Sequence, residues 1–263
     1  HRVRFDGQGR RQVEAEPALL SILPVASGHA LISVQQVRGP SGRVLLARHE
    51  TPEGSQMVVL KVAERRSLGG KVRAVPADPI LVGVGLRGVT SAFLTANGER
   101  VLALLEDGSV VVHDDADGAY PESQRFRPFA ENPGARVTSA GFALGDGTLV
   151  LGSDCGDEEA WSLYPQAQPD GSKARRFGRI HLNSALGGAV DGFVPSPVNK
   201  CYVASSRGSL EIRHLTTGTV RWSGSPVEGF RAGYLSKNHD QMGILEPSGR
   251  LRRWKIEDHH PDG

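Results

Sequence analysis

Apolar residues fall in short runs of alternating or continuous hydrophobic character, and turn-forming residues separate the runs. Residues 31–36, 42–49 and 57–62 form a first set of three runs. The same three-part unit returns at 89–95, 100–105 and 109–113, and again at 137–144, 148–152 and 160–164. A fourth set lies at 192–194, 200–204 and 209–214, and a fifth at 230–235, 241–245 and 250–256. Runs of this length, rich in Val, Leu and Ile and bounded by Gly, Pro, Asn, Asp and Ser, predict β-strands joined by tight turns. Ala96-Asn97-Gly98 and Glu106-Asp107-Gly108 are hairpin signals, and a two-residue Asn-Gly or Asp-Gly turn would need positive φ at both central positions. No segment predicts a helix: 157–163 is too short, and 184–190 carries two glycines.

Aligning one segment from each set exposes a repeat. SGRVLLARH begins at Ser41, DGSVVVHDD at Asp107, GDEEAWSLY at Gly156, RGSLEIRHL at Arg207 and SGRLRRWKI at Ser248, with intervals of 66, 49, 51 and 41 residues. Periods of this size with three or four strands each are the signature of a β-propeller, whose sheets cover one another's faces. The expected fold is therefore all-β: a WD-repeat-like β-propeller of short antiparallel four-stranded blades, with about five or more blades visible. The long interval contains residues 71–86, either a longer connection or part of another unit. Residues 1–256 are expected to form a single propeller-like domain, and 257–263 a flexible exit tail. The chain opens at His1 inside a strand-like run, which suggests a piece excised from a longer protein.

Composition narrows the picture. The chain has 263 residues, of which 33 are glycine and 16 proline, too many helix breakers for a bundle or coiled coil. Glycine has no period of three, which excludes collagen. A net charge of +2 and recurring apolar blocks exclude disorder. The 31 basic and 29 acidic residues nearly balance, unlike the footprint of a nucleic-acid binder, so no nucleic-acid partner is expected. Cys155 and Cys201 are the only cysteines, without metal-ligand spacing, and are expected to be buried free thiols. The longest apolar stretch, 80–86, is far shorter than a membrane helix.

Candidate chemistry is sparse. Gly83, Gly85 and Gly88 match G-x-G-x-x-G, but a strand-like run follows them where a dinucleotide site needs a helix N-terminus. Asp114, Asp115 and Asp117 resemble part of a calcium loop, yet Glu122 is the one glutamate near the closing position, and a hairpin turn is the better reading. Glu158 and Glu159 are adjacent, so a strand would point them to opposite faces. Asp258, His259 and His260 near the end lack a further ligand and read as exposed. Basic residues cluster at Lys173, Arg175, Arg176 and Arg179, and at Arg250, Arg252, Arg253 and Lys255. On a strand, Arg250 and Arg252 share one face, and Arg253 and Lys255 the other. Trp161, Trp222 and Trp254 fall in or near the last strand of their sets, where packing is expected. No Ser, His and Asp stand out as a set. No residue is assigned a catalytic, cofactor-binding or metal-binding role, no cofactor is expected, and the chain is expected not to be an enzyme.

The end of the chain is more specific. Residues 249–262 read G-x-L-x-x-W-x-I-x-D-x-H-P followed by an acidic residue. This resembles the junction in the long, PstC-type permeases of phosphate ABC transporters, where a propeller-like extramembrane region returns to the membrane part. Residues 42–49, GRVLLARH, and Gly152-Ser153-Asp154 with Trp161 resemble other segments of that region. Asp262 departs from the usual glutamate, and the transport residues of the family lie in helices this chain lacks. The resemblance implies an inner-membrane protein with this domain in the periplasm, anchored by helices outside the present chain. It implies contact with the phosphate-binding protein, or with the permease and ATPase subunits of the same transporter. The alternatives are a stand-alone WD-repeat-like scaffold and a propeller enzyme of lactonase or glycosidase type.

Overall fold

The computed structural model describes residues 2–5, 11–14, 30–40, 42–52, 54–66, 72–168, 171–184, 186–196 and 200–256. The exit tail at 257–263, with Asp258, His259 and His260, lies outside them. The chain forms two compact units. The first comprises His1–Arg87, Ala92–Val101 and Asp114–Pro121, and the second Gly88–Ser91, Leu102–His113 and Glu122–Gly263. No linker composition marks this division in the sequence.

Strand follows strand in antiparallel meanders. Strands β1 (Arg2–Phe5) and β2 (Arg11–Glu14) form a hairpin with Arg2 opposite Glu14. A second sheet runs through β3 (Ala30–Gly39), β4 (Gly42–Thr51), β5 (Gly54–Arg66) and β6 (Val72–Pro76). Strand β7 (Ile80–Val82) also pairs with β5, at Met57–Val59, so the two described strands of residues 71–86, β6 and β7, both belong to this sheet. Four-stranded sheets follow. One is β8 (Val89–Leu94), β9 (Arg100–Leu105), β10 (Val110–Asp114) and β11 (Glu122–Phe126). The next is β12 (Val137–Ala143), β13 (Thr148–Ser153), β14 (Asp157–Ala167) and β15 (Lys173–Ser184). The third is β16 (Val190–Pro195), β17 (Cys201–Ser206), β18 (Leu210–His214) and β19 (Val220–Gly224). A last sheet has three strands: β20 (Ala232–Leu235), β21 (Gln241–Leu245) and β22 (Leu251–Lys255). The fold is all-β, and these consecutive four-stranded antiparallel meanders have the strand order of propeller blades.

Burial follows position in the sheet. Strands β13 and β17, second in their meanders, are buried at every residue. Their faces are covered on both sides, which is why the apolar runs there are continuous and do not alternate. In the second unit, Val150 and Ala160 share a core with Val190, Phe193, Tyr202 and Ala204 of the next sheet. Val203, Leu210 and Ile212 share another with Met242 and Ile244, and Trp222 and Trp254 pack against it. In the first unit, Leu45, Ala47, Leu60 and Val62 form the core of β4 and β5.

The turns correct one expectation. Gly98 and Gly108 have φ of +74° and +83°, but Asn97 and Asp107 are not in the left-handed region. The Gly98 amide donates to Thr95 O and the Gly108 amide to Leu105 O, each at 2.9 Å. This is a type I turn closed by a left-handed glycine. Asp107 Oδ1 accepts the Ser109 amide at 2.8 Å and Asn97 Oδ1 the Glu99 amide at 3.1 Å. The side chain thereby holds the turn that a two-residue hairpin would have made with backbone alone.

The repeat alignment also shifts. Segments from Asp107, Gly156, Arg207 and Ser248 lead into third strands (β10, β14, β18, β22), whereas SGRVLLARH leads into β4, second in its meander. The interval of 66 residues is long because it runs through six strands, β4 to β9, where each of the others runs through four.

Candidate functional site

The glycine motif forms no phosphate cradle. Gly83, Gly85 and Gly88 have φ of +62°, +81° and +68° in the connection between β7 and β8, and Val89 opens a strand. Without a helix N-terminus, the amides there do not converge on an anion. Asp114 ends β10, Asp115 follows it, and Asp117 lies in a turn closed by the Ala116–Ala119 bridge, in line with the hairpin reading. Arg100 Nε lies 2.8 Å from Asp114, and Lys61 Nζ lies 2.6 Å from Asp115. Glu122 pairs with Arg125 at 2.9 Å. These carboxylates are neutralised by side-chain cations.

The first unit contains a cavity of about 420 Å³, lined by Arg43, Lys61, Val75, Asn97, Glu99 and Asp115 among others. Its cations are already paired: Arg43 with Glu64 at 2.7 Å, and Lys61 with Asp115. Lys61 also sits 5.3 Å above the Tyr120 ring. The cavity thus presents apolar wall and closed ion pairs, a shape suited to packing more than to capturing an ion.

Two buried carboxylates organise the second unit. Glu158 and Glu159 are adjacent on β14 and buried, and each takes different partners, as strand alternation requires. Glu158 Oε2 is 2.9 Å from Arg213 Nη1 and accepts the Tyr202 hydroxyl at 3.4 Å. Arg213 in turn donates from Nε to Glu211 at 2.8 Å. Arg213 is thus shared by two carboxylates, while Glu158 Oε1 is buried with no hydrogen-bond partner among the described residues. Burial therefore outweighs the arginine and pushes the Glu158 carboxyl up to about 7 from its ordinary 4.5. Glu159 Oε2 accepts the Trp161 indole N–H at 2.8 Å, and Oε1 accepts Arg179 at 3.1 Å. Arg179 also grips Glu131, at 2.5 and 2.6 Å. Phe126 stacks on Trp161 with ring centroids 4.2 Å apart.

The Glu158 environment predicts a measurable pH dependence. A carboxyl raised on folding stabilises the native state fully below its unfolded pKa and loses that contribution as pH rises through the folded value. Wild-type stability relative to Glu158→Gln should therefore decline by about 3 kcal/mol from pH ~4.5 to beyond pH ~7. Urea melts of both proteins across this range test it, and parallel curves would contradict the assignment.

The basic clusters divide between structure and surface. Arg176 donates to Ser123 O and to Gln168 at 3.3 Å, and Arg179 is consumed by its glutamates, leaving Lys173 and Arg175 exposed on the edge strand β15. On β22, Arg252 donates to Pro226 O at 2.8 Å and stacks 5.3 Å over Trp254. It also lies 3.8 Å from the buried Glu246. Arg250, Leu251, Arg253 and Lys255 are exposed. The cysteines are both free, Cys201 buried as expected and Cys155 exposed, contrary to expectation. Cys155 sits in the turn between β13 and β14, outside the apolar run, and Asp154 beside it pushes its thiol pKa up.

No known family profile matches the chain, and no curated protein matches it. Among solved structures, that of U3-55K is similar, with 13% identity and a TM-score of 0.49 over 64% of this chain. The match takes in 49% of that chain, about half its length.

The sequence did not reveal some of the second unit's polar contacts. Glu246 follows β21, with one carboxylate oxygen accepting the Glu228 amide at 3.1 Å. Ser196 Oγ lies 2.6 Å from His239 Nε2, joining the segment after β16 to the turn between β20 and β21. Ser196 is buried, so this pair ties two turns together instead of presenting a nucleophile to solvent. Each of these partners is remote in sequence. Arg213 gave no separate signal, because β18 reads Leu-Glu-Ile-Arg-His, with polar residues at three of its five positions.

Proposed function

We propose that this chain is a non-catalytic extracytoplasmic propeller domain of a PstC-type phosphate ABC transporter permease, acting by protein contact. The observation that carries the contact reading is the fate of the charged residues. Those that are buried, Glu158, Arg213 and Glu159, bind strands and sheets to one another, whereas Lys173, Arg175, Arg250, Arg253 and Lys255 are presented outward on β15, β22 and the turn before it. The permease assignment is supported by the terminal motif leading out of β22 and by the GRVLLARH strand, which forms β4. On this reading the domain belongs to an inner-membrane protein and faces the periplasm. Its partners are the phosphate-binding protein and the other transporter subunits. Among the described residues, no helix is long and apolar enough to cross a membrane.

The test is direct binding of the purified chain to the phosphate-binding protein of the same source. Rim charges steer association and are screened by salt, so binding is expected at low ionic strength and should weaken by about tenfold or more near physiological salt. Absence of binding at low salt overturns the docking role. Hydrophobic segments of about 18 residues or more flanking this region in the full-length gene support the permease assignment, and their absence leaves the stand-alone scaffold.

A further inference from the structure

We propose that the outer edge of β22 is a docking strand that pairs with an extended acidic segment of a partner protein. Among the described residues, the last sheet has three strands where the three before it have four. Its third strand, β22, occupies the place held by β10, β14 and β18 in the four-stranded sheets, each of which is covered by a fourth strand. Strands β10 and β18 are mostly buried, whereas β22 alternates between exposed and half-buried residues along its whole length. Among the described residues, no strand pairs with its outer edge.

The ladder shows which backbone groups are open. Ile256 N–H donates to Asp240 O at 2.8 Å, and Arg250 O accepts the Glu246 amide at 2.9 Å. Groups on an antiparallel strand alternate in direction, so Arg250, Arg252, Trp254 and Ile256 face β21, and Leu251, Arg253 and Lys255 turn their N–H and C=O outward. An extended chain can add to such an edge, drawing affinity from main-chain hydrogen bonds and specificity from alternate side chains.

Charge selects the occupant. Arg250, Arg253 and Lys255 are exposed, and none forms an ion pair among the described residues. Arg252 is already engaged by the Pro226 carbonyl, Glu246 and the Trp254 ring. Exposed cations also protect an open edge from pairing with a second copy of itself. A segment with acidic residues at alternate positions presents them on one face, where they meet Arg253 and Lys255, and it completes the sheet in its own antiparallel sense; Arg250, at the entry to the strand, adds to the local positive charge, and Leu251, 47% exposed, offers an apolar contact. The inference rests on the reading of this chain as a contact domain, but not on its assignment to a transporter.

The experiment uses the whole chain and a fluorescent synthetic peptide of alternating valine and glutamate. A second peptide of the same sequence is N-methylated on alternate residues, which removes the donors that would face β22 and leaves charge unchanged. The unmodified peptide is expected to bind about tenfold or more tightly than the methylated one. Combined Arg250→Glu, Arg253→Glu and Lys255→Glu substitution should abolish binding. In hydrogen exchange, the Arg253 and Lys255 amides should exchange quickly in the free protein and become protected on binding. Equal binding of both peptides, or no new protection on β22, overturns the inference. So does protection of both amides in the free protein to the level of Trp254, which would mean that the chain itself covers the edge. If the phosphate-binding protein docks while the β22 amides are unaffected, this inference fails and the contact-domain reading stands. Strand addition without that docking upholds this inference and the contact-domain reading and removes the transporter assignment.

Discussion

Replacing Arg213 with methionine is expected to destabilise the protein by about 3–5 kcal/mol, the usual cost of removing one partner from a buried ion pair. The arginine is nearly inaccessible and serves both Glu158 and Glu211, so its loss leaves two carboxylates facing each other without a cation. Methionine fills much of the volume, and the deficit is therefore electrostatic more than steric. The loss should be smaller in acid, where Glu158 takes up a proton. Combining Arg213→Met with Glu158→Gln should recover a substantial part of the loss, because no buried charge is then left at position 158. Urea denaturation of the three proteins at neutral and mildly acidic pH measures these differences. A loss below about 1 kcal/mol at neutral pH would show that the pair is not an internal tie.

Gly156→Ala is expected to cost more than about 3 kcal/mol, through two effects at one position. Gly156 has φ of +89°, in the left-handed region where a Cβ is unfavourable. That Cβ would also fall inside the van der Waals envelope of the Leu186 carbonyl oxygen, a backbone atom that cannot swing aside. The Leu186 amide donates back to Gly156 O at 3.3 Å, and Leu186 itself is buried in the core between β12–β15 and β16–β19. Relief of the clash therefore moves a core residue. Gly145→Ala separates the two effects: φ there is +58°, and nothing lies within reach of the added methyl. It should cost about 1 kcal/mol. Thermal melts of both variants provide the comparison, and equal losses would contradict the steric part.

The strands most visible in the sequence are those covered on both faces. RVLALL of β9 and TLVLGS of β13 coincide closely with apolar runs because every position but Arg100 is buried. The fourth strands were passed over for the opposite reason. ESQRF of β11 and VRWSG of β19 are pinned by hydrogen bonds along one edge and half exposed, so their side chains carry little pattern. The turn type was misjudged because Asn-Gly and Asp-Gly fit two hairpin geometries, and the choice between them depends on how many residues the flanking strands leave unpaired. Buried ties were the least legible. Glu158 was visible as a carboxylate on a strand, but its partner Arg213 lies on a different sheet, and only packing brings the two together. The β22 cations were visible as a cluster. That β22 has no outer neighbour among the described strands is a property of the sheet and could not be read from its residues.

The meander order has a consequence for synthesis of the chain. In the sheets from β8 to β22, each strand pairs with its immediate neighbours in sequence, so every sheet can close its ladder without waiting for distant chain. Short loops cost little entropy to close, which favours folding in order of emergence from the ribosome. A sheet is provisional only until its fourth strand is made: β11 seals one, β15 the next and β19 the third. The sheet ending at β22 has no such closing event among the described strands, so it is the one expected to open first when the folded protein breathes.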